Sequence, residues 1–420
     1  MKTTDQPQKK ILRPEGIEVY GGPPPPADGR LVAVDCHPDI YTAAVFTGTT
    51  LHDARQQRGR ENLTLVQLLD WAGREFTPKD LFLLEAGANS FEIHGRLLAL
   101  GLRAVVLESG YVGAHAKKYA DNDKLAAARI ALVYLGGRCP CVWVPDAVSR
   151  ERRELLHAHQ SAVTAHTAAT NELKSYLNQF ALRLGSRGLH LERTRTWIRQ
   201  ARDWTKLQSA LVEDYFAQLD LQKKRREQLR RLIAQEISQD PLMLRCMRLL
   251  GIGLINAFAL LAIIGDVRRF ERPEKLVAYI GLNPGQQLSG LGKKIKLGLG
   301  QRGRGDLRHL LIQGAHAVLR AGGHTDLGKW GWKLFARKGH RNIAVAAVAR
   351  KLVVQVWHLL SGNPPTSLEV DKSLNLKLQK LAVILGQALR LELGLPSALK
   401  PCVEALRQKI LEPGVVPKPA

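Results

Sequence analysis

Apolar and polar positions alternate in blocks along the chain, and the blocks change period from one region to the next. From Arg30, LVAVDCHPDIYTAAVFTG holds two apolar β-prone runs around a turn, a hairpin-like start. LVQLLDWAGREF has helical spacing, LFLLEAG is a short buried strand and FEIHGRLLALG a second helix. AVVLES predicts a strand, DKLAAARIALVYLGG a helix and CVWVPD a final strand. Strands alternating with helices predict an α/β sheet domain over residues 28–148.

The period then changes. Over 149–240, charged and apolar residues recur at helical spacing, with Leu211, Tyr215 and Leu219 on one face and Leu229, Leu232, Ile233 and Ile237 on another. Long helices are expected there, in an antiparallel or intermolecular coiled coil that serves as linker and assembly element. QKKRREQLRR (222–231) adds a basic stripe, which a solvated face explains as well as a nucleic-acid contact does. Pro241 opens a third, mostly helical region that runs to 362 and has a glycine-rich basic centre. Residues 363–420 hold an amphipathic helix and a tail, and residues 1–27, polar then proline-rich, form a flexible lead-in. No internal repeat is present.

Composition adds a partner. The 420 residues carry a formal net charge of +24, with a pI near 10.1. Such an imbalance points to a polyanion, because binding phosphates releases counterions. At 45% hydrophobic the chain can build two or three cores. The first ten residues, MKTTDQPQKK, carry no apolar run. The apolar stretch Leu249–Gly265 is glycine-interrupted and contains Asn256, which suits a buried helix pair better than a membrane span. Five scattered cysteines include one C-P-C (Cys139, Cys141), a poor zinc site. The expectation is a prokaryotic cytoplasmic protein without a membrane partner.

Three carboxylates stand out. Asp35 ends LVAVD, Glu85 ends LFLLE and Asp123 follows the third strand and opens a helix. Converging oxygens from separate strand ends hold hard cations such as Mg²⁺, the metal of much phosphodiester chemistry. Taken singly, Asp35 and Asp123 are better explained as turn or N-cap residues; three acids on successive strand ends in so basic a chain reverse that preference. These blocks (VAVDCHPDIYTAAV, LLEAGANSFEIHGRLLALGLRAVVLES, NDKLAAARIALVYLGG and VWVPD) resemble the RuvC-like domain of bridge-RNA-guided insertion-sequence transposases, insertion sequence family 110/1111. The resemblance implies an Asp-Glu-Asp-Asp tetrad, of which Asp35, Glu85 and Asp123 match three. Where it expects the fourth, this chain has Ala126. Either an inactivating Asp→Ala change stands here, or the natural protein uses a nearby acid such as Asp121 or Asp146.

The third region carries a second constellation. LRCMRLLGIGLINAFALLAIIGDVRRF sets a G-I-G turn between helical segments, resembling a helix-hairpin-helix whose turn, at Gly251 and Gly253, faces phosphate. A tight helix junction would use the same glycines. In LVAYIGLNPGQQLSGLGKKIKLGLGQRGRGDLRHLLIQGAHAVL, Ser289 precedes Gly290 and is trailed by Lys293, Lys294, Lys296, Arg302, Arg304 and Arg308. Clustered cations can neutralise a phosphoryl group under attack by a hydroxyl. Gly298, Gly300, Gly303 and Gly305 permit close backbone approach, and Asp306 is placed to cap the next helix. No G-K-[ST] follows, so this is not a nucleotide P-loop. Most serines before glycine are ordinary loop residues. This stretch is similar to the C-terminal serine transposase domain of the same family, which implies that Ser289 is the nucleophile of a 5′-phosphoserine intermediate.

The resemblance as a whole implies a DNA transposase/recombinase that uses Mg²⁺, a structured bridge RNA and double-stranded donor and target DNA. It also implies a homodimer or homotetramer in which the acidic domain of one subunit meets the serine domain of another. Two other readings compete: a metal-dependent RuvC-like nuclease without serine chemistry, and a catalytically inactive RNA- or DNA-binding protein. His37 and His115, beside the acids, are read as exposed or hydrogen-bonded histidines, with phosphate contact as the alternative. Trp330, Trp332, Phe335, Arg337, Lys338 and Arg341 interleave aromatic and basic types, suiting core packing or base stacking.

Overall fold

The computed structural model describes residues 22–115, 122–137, 140–185, 187–288, 294–300, 303–363 and 371–411; of 286–288, 294–297 and 371–372 it describes the backbone. The chain packs as two compact units, Met1–Pro145 and Asp146–Ala420.

The first unit is a six-stranded mixed sheet. β1 (Leu31–Cys36), β2 (Tyr41–Thr47) and β3 (Arg55–Leu63) form an antiparallel meander, β4 (Leu81–Glu85) and β5 (Arg103–Leu107) run parallel to β1, and β6 (Cys141–Val142) pairs antiparallel at the far edge. The spatial order is β3-β2-β1-β4-β5-β6. Between them lie α1 (Leu65–Glu75), α2 (Ser90–Ala99), α3 (Ser109–Gly113) and α4 (Asp123–Leu135). Side-chain alternation divides the core. Even-numbered Val32, Val34, Phe82 and Leu84 pack with Leu68, Trp71, Ile93 and Leu97 of α1 and α2. Odd-numbered Leu31, Ala33, Leu81 and Leu83 pack with Ala127, Ile130 and Tyr134 of α4.

β3 is absent from the hydropathy reading for a physical reason. Its sequence, RQQRGRENL, is polar and all but its last residue are exposed, so backbone pairing with β2 makes it a strand. Of the expected lead-in, residues 22–27 lie within the described part, and there the Tyr134 hydroxyl donates to the Pro23 carbonyl.

One polar clamp closes this unit. The buried Asp80 carboxylate accepts from the Arg30 amide at 2.8 Å, from Arg30 Nε and Nη2 at 3.0 Å each, and from the Thr77 amide at 2.8 Å. Burial pushes its carboxyl up, but these bonds outweigh burial and hold it below the usual 3.8. Asp80→Ala is expected to cost about 2–3 kcal/mol in urea unfolding, because a charged donor set loses its acceptor. Since the folded group titrates below the unfolded one, its stabilisation is complete above the ordinary carboxylate range. It fades as pH falls through the folded group's own range, so the mutant's deficit should shrink there.

Among its described residues the second unit is helical apart from one hairpin. α5 (Ala147–Asn178) and α7 (Lys206–Gln239) pair antiparallel. Arg152 near the start of α5 bonds Glu236 and Asp240 at the end of α7, while Leu173 and Leu177 meet Val212, Phe216 and Leu219 at the other end. α6 (Glu192–Gln200) completes this distal cluster. The buried stripe on α7 is Val212, Phe216 and Leu219, not Leu211, which is 40% exposed. Likewise Ile233 and Ile237 are buried and Leu232 exposed. Leu211 and Leu232 each lie one position off the buried seam, which Val212 and Ile233 occupy, whereas Leu219 lies on it as expected.

The proximal body gathers α8 (Pro241–Cys246), α9 (Leu254–Ile264), α10 (Pro273–Ile280), the hairpin β7 (Pro284–Leu288) and β8 (Lys294–Leu299), α11 (Gly305–Ala321), α12 (Asp326–Lys338), α13 (Arg341–Leu360), α14 (Asp371–Glu392) and α15 (Leu399–Leu411). α9 lies inside the core, and Asn256, the polar residue of its apolar run, donates to the Gly251 and Leu310 carbonyls at 3.0 and 3.2 Å. α13 is long and apolar enough to cross a membrane by composition, yet Val345, Val348, Leu352 and Val356 are buried in this core. Trp330 packs against the same core, and Trp332 donates to the Leu319 carbonyl at 2.8 Å.

Gly251 sits where two backbones touch. Its φ is +89°, and a β-carbon there would meet the Gly314 carbonyl oxygen of α11 at 2.6 Å. Gly314 is constrained reciprocally, its own β-carbon meeting the Gly251 oxygen at 2.5 Å.

Candidate metal centre and family match

Parity places the acids. Asp35 is odd-numbered on β1 and Glu85 odd-numbered on β4, so both follow Ala33 and Leu83 onto the α4 side of the sheet. β1 and β4 are adjacent and parallel, with Val34 opposite Leu84, so the two acids are lateral neighbours at the carboxyl ends of their strands. Asp123 is the first residue of α4, the helix that covers this face. Asn122 caps that helix, accepting the Leu125 amide at 2.9 Å, and Lys124 ties it to Glu61 of β3 at 2.8 Å.

His37 joins them. Its Nε2 lies 3.4 Å from Asp35 Oδ2 and 3.5 Å from Asp123 Oδ1, and one ligand atom from each of the three residues falls within 4.8 Å of the others. The imidazole is held by its own turn: the His37 amide donates to the Ile40 carbonyl at 3.1 Å. Asn89, the N-cap residue of α2, donates to the His37 carbonyl at 3.0 Å and to the Tyr41 hydroxyl at 2.8 Å. The sequence reading treated His37 as a bystander, and its proximity to Asp35 was the one available signal.

The electrostatics are those of a strained anionic site. Burial raises the Asp35 carboxyl, and Asp123 raises it further, while His37 and Arg129 of α4 pull it down. Burial and the Asp35 and Glu85 charges together push the Cys36 thiol up to about 12. Two carboxylates and an imidazole converging from three elements form a donor set that fits a divalent cation, and such an ion would relieve the repulsion between Asp35 and Asp123. Ala126 lies three residues beyond Asp123 on α4 and brings no side-chain oxygen. Of the substitute acids, Asp121 lies outside the described residues. Asp146 caps α5 by accepting the Ser149 amide at 2.7 Å.

The serine constellation falls partly outside the described residues: Ser289, Lys293 and Arg302 do. Lys294 and Lys296 lie on β8. Arg304 pairs with Asp306 at 2.6 Å, and Arg308 donates to the Gly281 and Gly300 carbonyls. Asp306 sits inside the first turn of α11 rather than at its cap, which is Arg304. Gly303, at φ +91°, packs on the backbone of Tyr279 and Gly281, so its missing side chain already has a use within the protein. Gly253 precedes α9 in open space, whereas Gly251 faces Gly314. Sequence reasoning missed the half-buried Arg153 and Arg269, which together with Arg304 surround Tyr279. Arg153 and Arg269 also donate to the carbonyls of Ile263 and its neighbours at the end of α9, a cation at a helix C-terminus.

Comparison with known proteins bears on this half of the chain. Residues 244–327, spanning α9 through the start of α12, match the model described as Transposase IS116/IS110/IS902 family. That stretch is similar to the family so described. It is 25% identical over 345 residues to the transposase for insertion sequence element IS1111A of Coxiella burnetii, covering 80% of this chain and 90% of the other. A "Probable family 20 transposase" of Pseudomonas aeruginosa is 29% identical over 253 residues, 58% of this chain and 74% of its own. The transposase for IS1328 of Yersinia enterocolitica is 24% identical over 216 residues, 51% and 64% respectively.

Proposed function

We infer that this chain is an insertion-sequence transposase that cuts and rejoins DNA through Ser289, with a divalent cation, Mg²⁺ in the first instance, at the acidic centre. The observation that carries the reading is the convergence of Asp35, His37 and Asp123 on one point, with Glu85 on the same face. The strand order, an antiparallel meander followed by parallel β4 and β5, supports a RuvC-like first unit. The family match over 244–327 supports the serine half, since Ser289 falls within it.

Asp35, His37 and Asp123, with Glu85 beside them, would hold a divalent cation, which when bound would supply charge neutralisation at a scissile phosphodiester. The Ser289 oxygen forms a bond to phosphorus as the bond from phosphorus to the 3′ oxygen breaks. The hydroxyl proton ends on the departing 3′ oxygen, and attack by a new 3′ hydroxyl reverses the exchange. Bridge RNA is the proposed guide, donor and target duplexes are the substrates, and pairing of subunits supplies several centres at once.

The test is a suicide DNA substrate whose cleaved end diffuses away. A covalent protein–DNA species is expected, lost in Ser289→Ala. Cleavage that persists in Ser289→Ala without an adduct would instead establish the nuclease reading. Ala126→Asp is expected to raise Mg²⁺-dependent cleavage, and no gain would remove the idea of a disabled fourth ligand.

A further inference from the structure

At the far end of the α5–α7 pair, the chain returning from α5 folds over both helices and encloses a cleft of about 430 Å³. Helical spacing builds its floor. His166, Thr170 and Lys174 recur every four residues on α5, and Leu219, Lys223 and Arg226 share a face of α7. Arg187 and His190 close it from the return segment, and the Arg187 guanidinium rests 4.6 Å above the Trp197 ring.

The charge inside this cleft is unbalanced. Asp220 is the single acid among the described lining residues, and it is committed to Arg195 in a two-pronged pair at 2.6 and 2.7 Å. That leaves Lys174, Arg187, Lys223 and Arg226 facing one concavity. Burial, then Arg226 and Lys223, lower the pKa of His166, as expected of an imidazole in a positive potential. A merely solvated basic face would spread its cations outward. Here Lys174, Arg187, Lys223 and Arg226 line one cleft together with the apolar Leu189 and Leu219, where an anion would offset their mutual repulsion.

We propose that this cleft binds a phosphodiester of a nucleic-acid backbone, a contact point well apart in sequence from both the acidic centre and Ser289. Two of its cations, Lys223 and Arg226, come from the basic stripe 222–231, so part of that stripe lines a cleft and is not only a solvated face. The described lining residues include no broad aromatic platform, so the cleft reads phosphate and not base identity. The inference rests on the nucleic-acid partnership proposed above but not on strand chemistry.

The experiment measures affinity of the full chain for single-stranded RNA, duplex RNA and duplex DNA of equal length by fluorescence anisotropy across a salt series. Lys223→Gln and, independently on the facing helix, Lys174→Gln should each weaken binding to the preferred polymer. Each should reduce the slope of log affinity against log salt by about 1. The polymer that shows the effect identifies the source of the phosphate. Binding is read without added divalent metal, where no strand cleavage is proposed, so failure of the strand-chemistry reading is separable. Unchanged slopes in both folded variants, with all three polymers, would overturn the proposal. So would pyrophosphate binding that depends on Lys223 while polymer binding does not, since the cleft would then serve a small anion.

Discussion

Replacing Asp35 by Ala is expected to lower metal-dependent DNA cleavage about a thousandfold, the scale of several kcal/mol of lost transition-state stabilisation. Asp35 is the most buried of the converging ligands, its side chain 14% exposed against 47% for Asp123 and 48% for His37. Solvent therefore compensates least for its loss. Removing it also relieves the repulsion with Asp123, so the variant should fold at least as stably as wild type, and its defect will be chemical. Calorimetric titration with Mg²⁺ and with Mn²⁺ should show the site lost for both ions. His37→Ala should weaken Mn²⁺ more than Mg²⁺, because imidazole nitrogen suits transition ions better. Full cleavage by Asp35→Ala would remove the acidic centre from the reaction.

The largest effect on stability is expected at Gly251. An alanine there meets the Gly314 carbonyl oxygen at 2.6 Å, backbone against backbone, at φ +89°. Left-handed strain and overpacking together predict a loss of about 2–5 kcal/mol, read from the urea or thermal unfolding of the second unit. Gly314→Ala should behave alike, and the double mutant should lose less than the sum, because both substitutions break one contact. A neutral Gly251→Ala would mean that α9 and α11 separate freely. Gly253→Ala meets nothing within 4 Å and serves as the control. If it reduces DNA binding while leaving stability intact, the turn before α9 contacts phosphate.

Much of the first unit was legible because its strands are apolar runs whose ends carry the acids. Asp35 and Glu85 could be placed at strand ends from LVAVD and LFLLE alone, and Asp123 at a helix start. β3 was not legible, since RQQRGRENL is made a strand by its partner and not by its own hydropathy. β6 shrank to two residues because only Cys141 and Val142 reach β5. The hairpin of β7 and β8 was hidden in part for a related reason: PGQQL carries little apolar content, although KIKLGL alternates Ile295, Leu297 and Leu299 with polar or glycine positions and offered a strand signal. His37 was legible as a neighbour but not as a ligand, because its approach to Asp123 depends on a turn held by Asn89, more than fifty residues away. The basic cleft was illegible in the same sense. Its cations come from α5, a return segment and α7, and only the third group formed a visible run.

The α4-side placement of Asp35 follows from counting in twos along β1, and that has a hereditary consequence. An insertion or deletion of one residue between Leu31 and Asp35 leaves the apolar content of the strand almost untouched. It nevertheless sends the carboxylate to the α1–α2 side and turns Ala33 and Val34 into each other's space. Drift in length within this strand is therefore punished twice, once in packing and once in chemistry, whereas the exposed stretch of β3 before Leu63 has no alternating core face to invert.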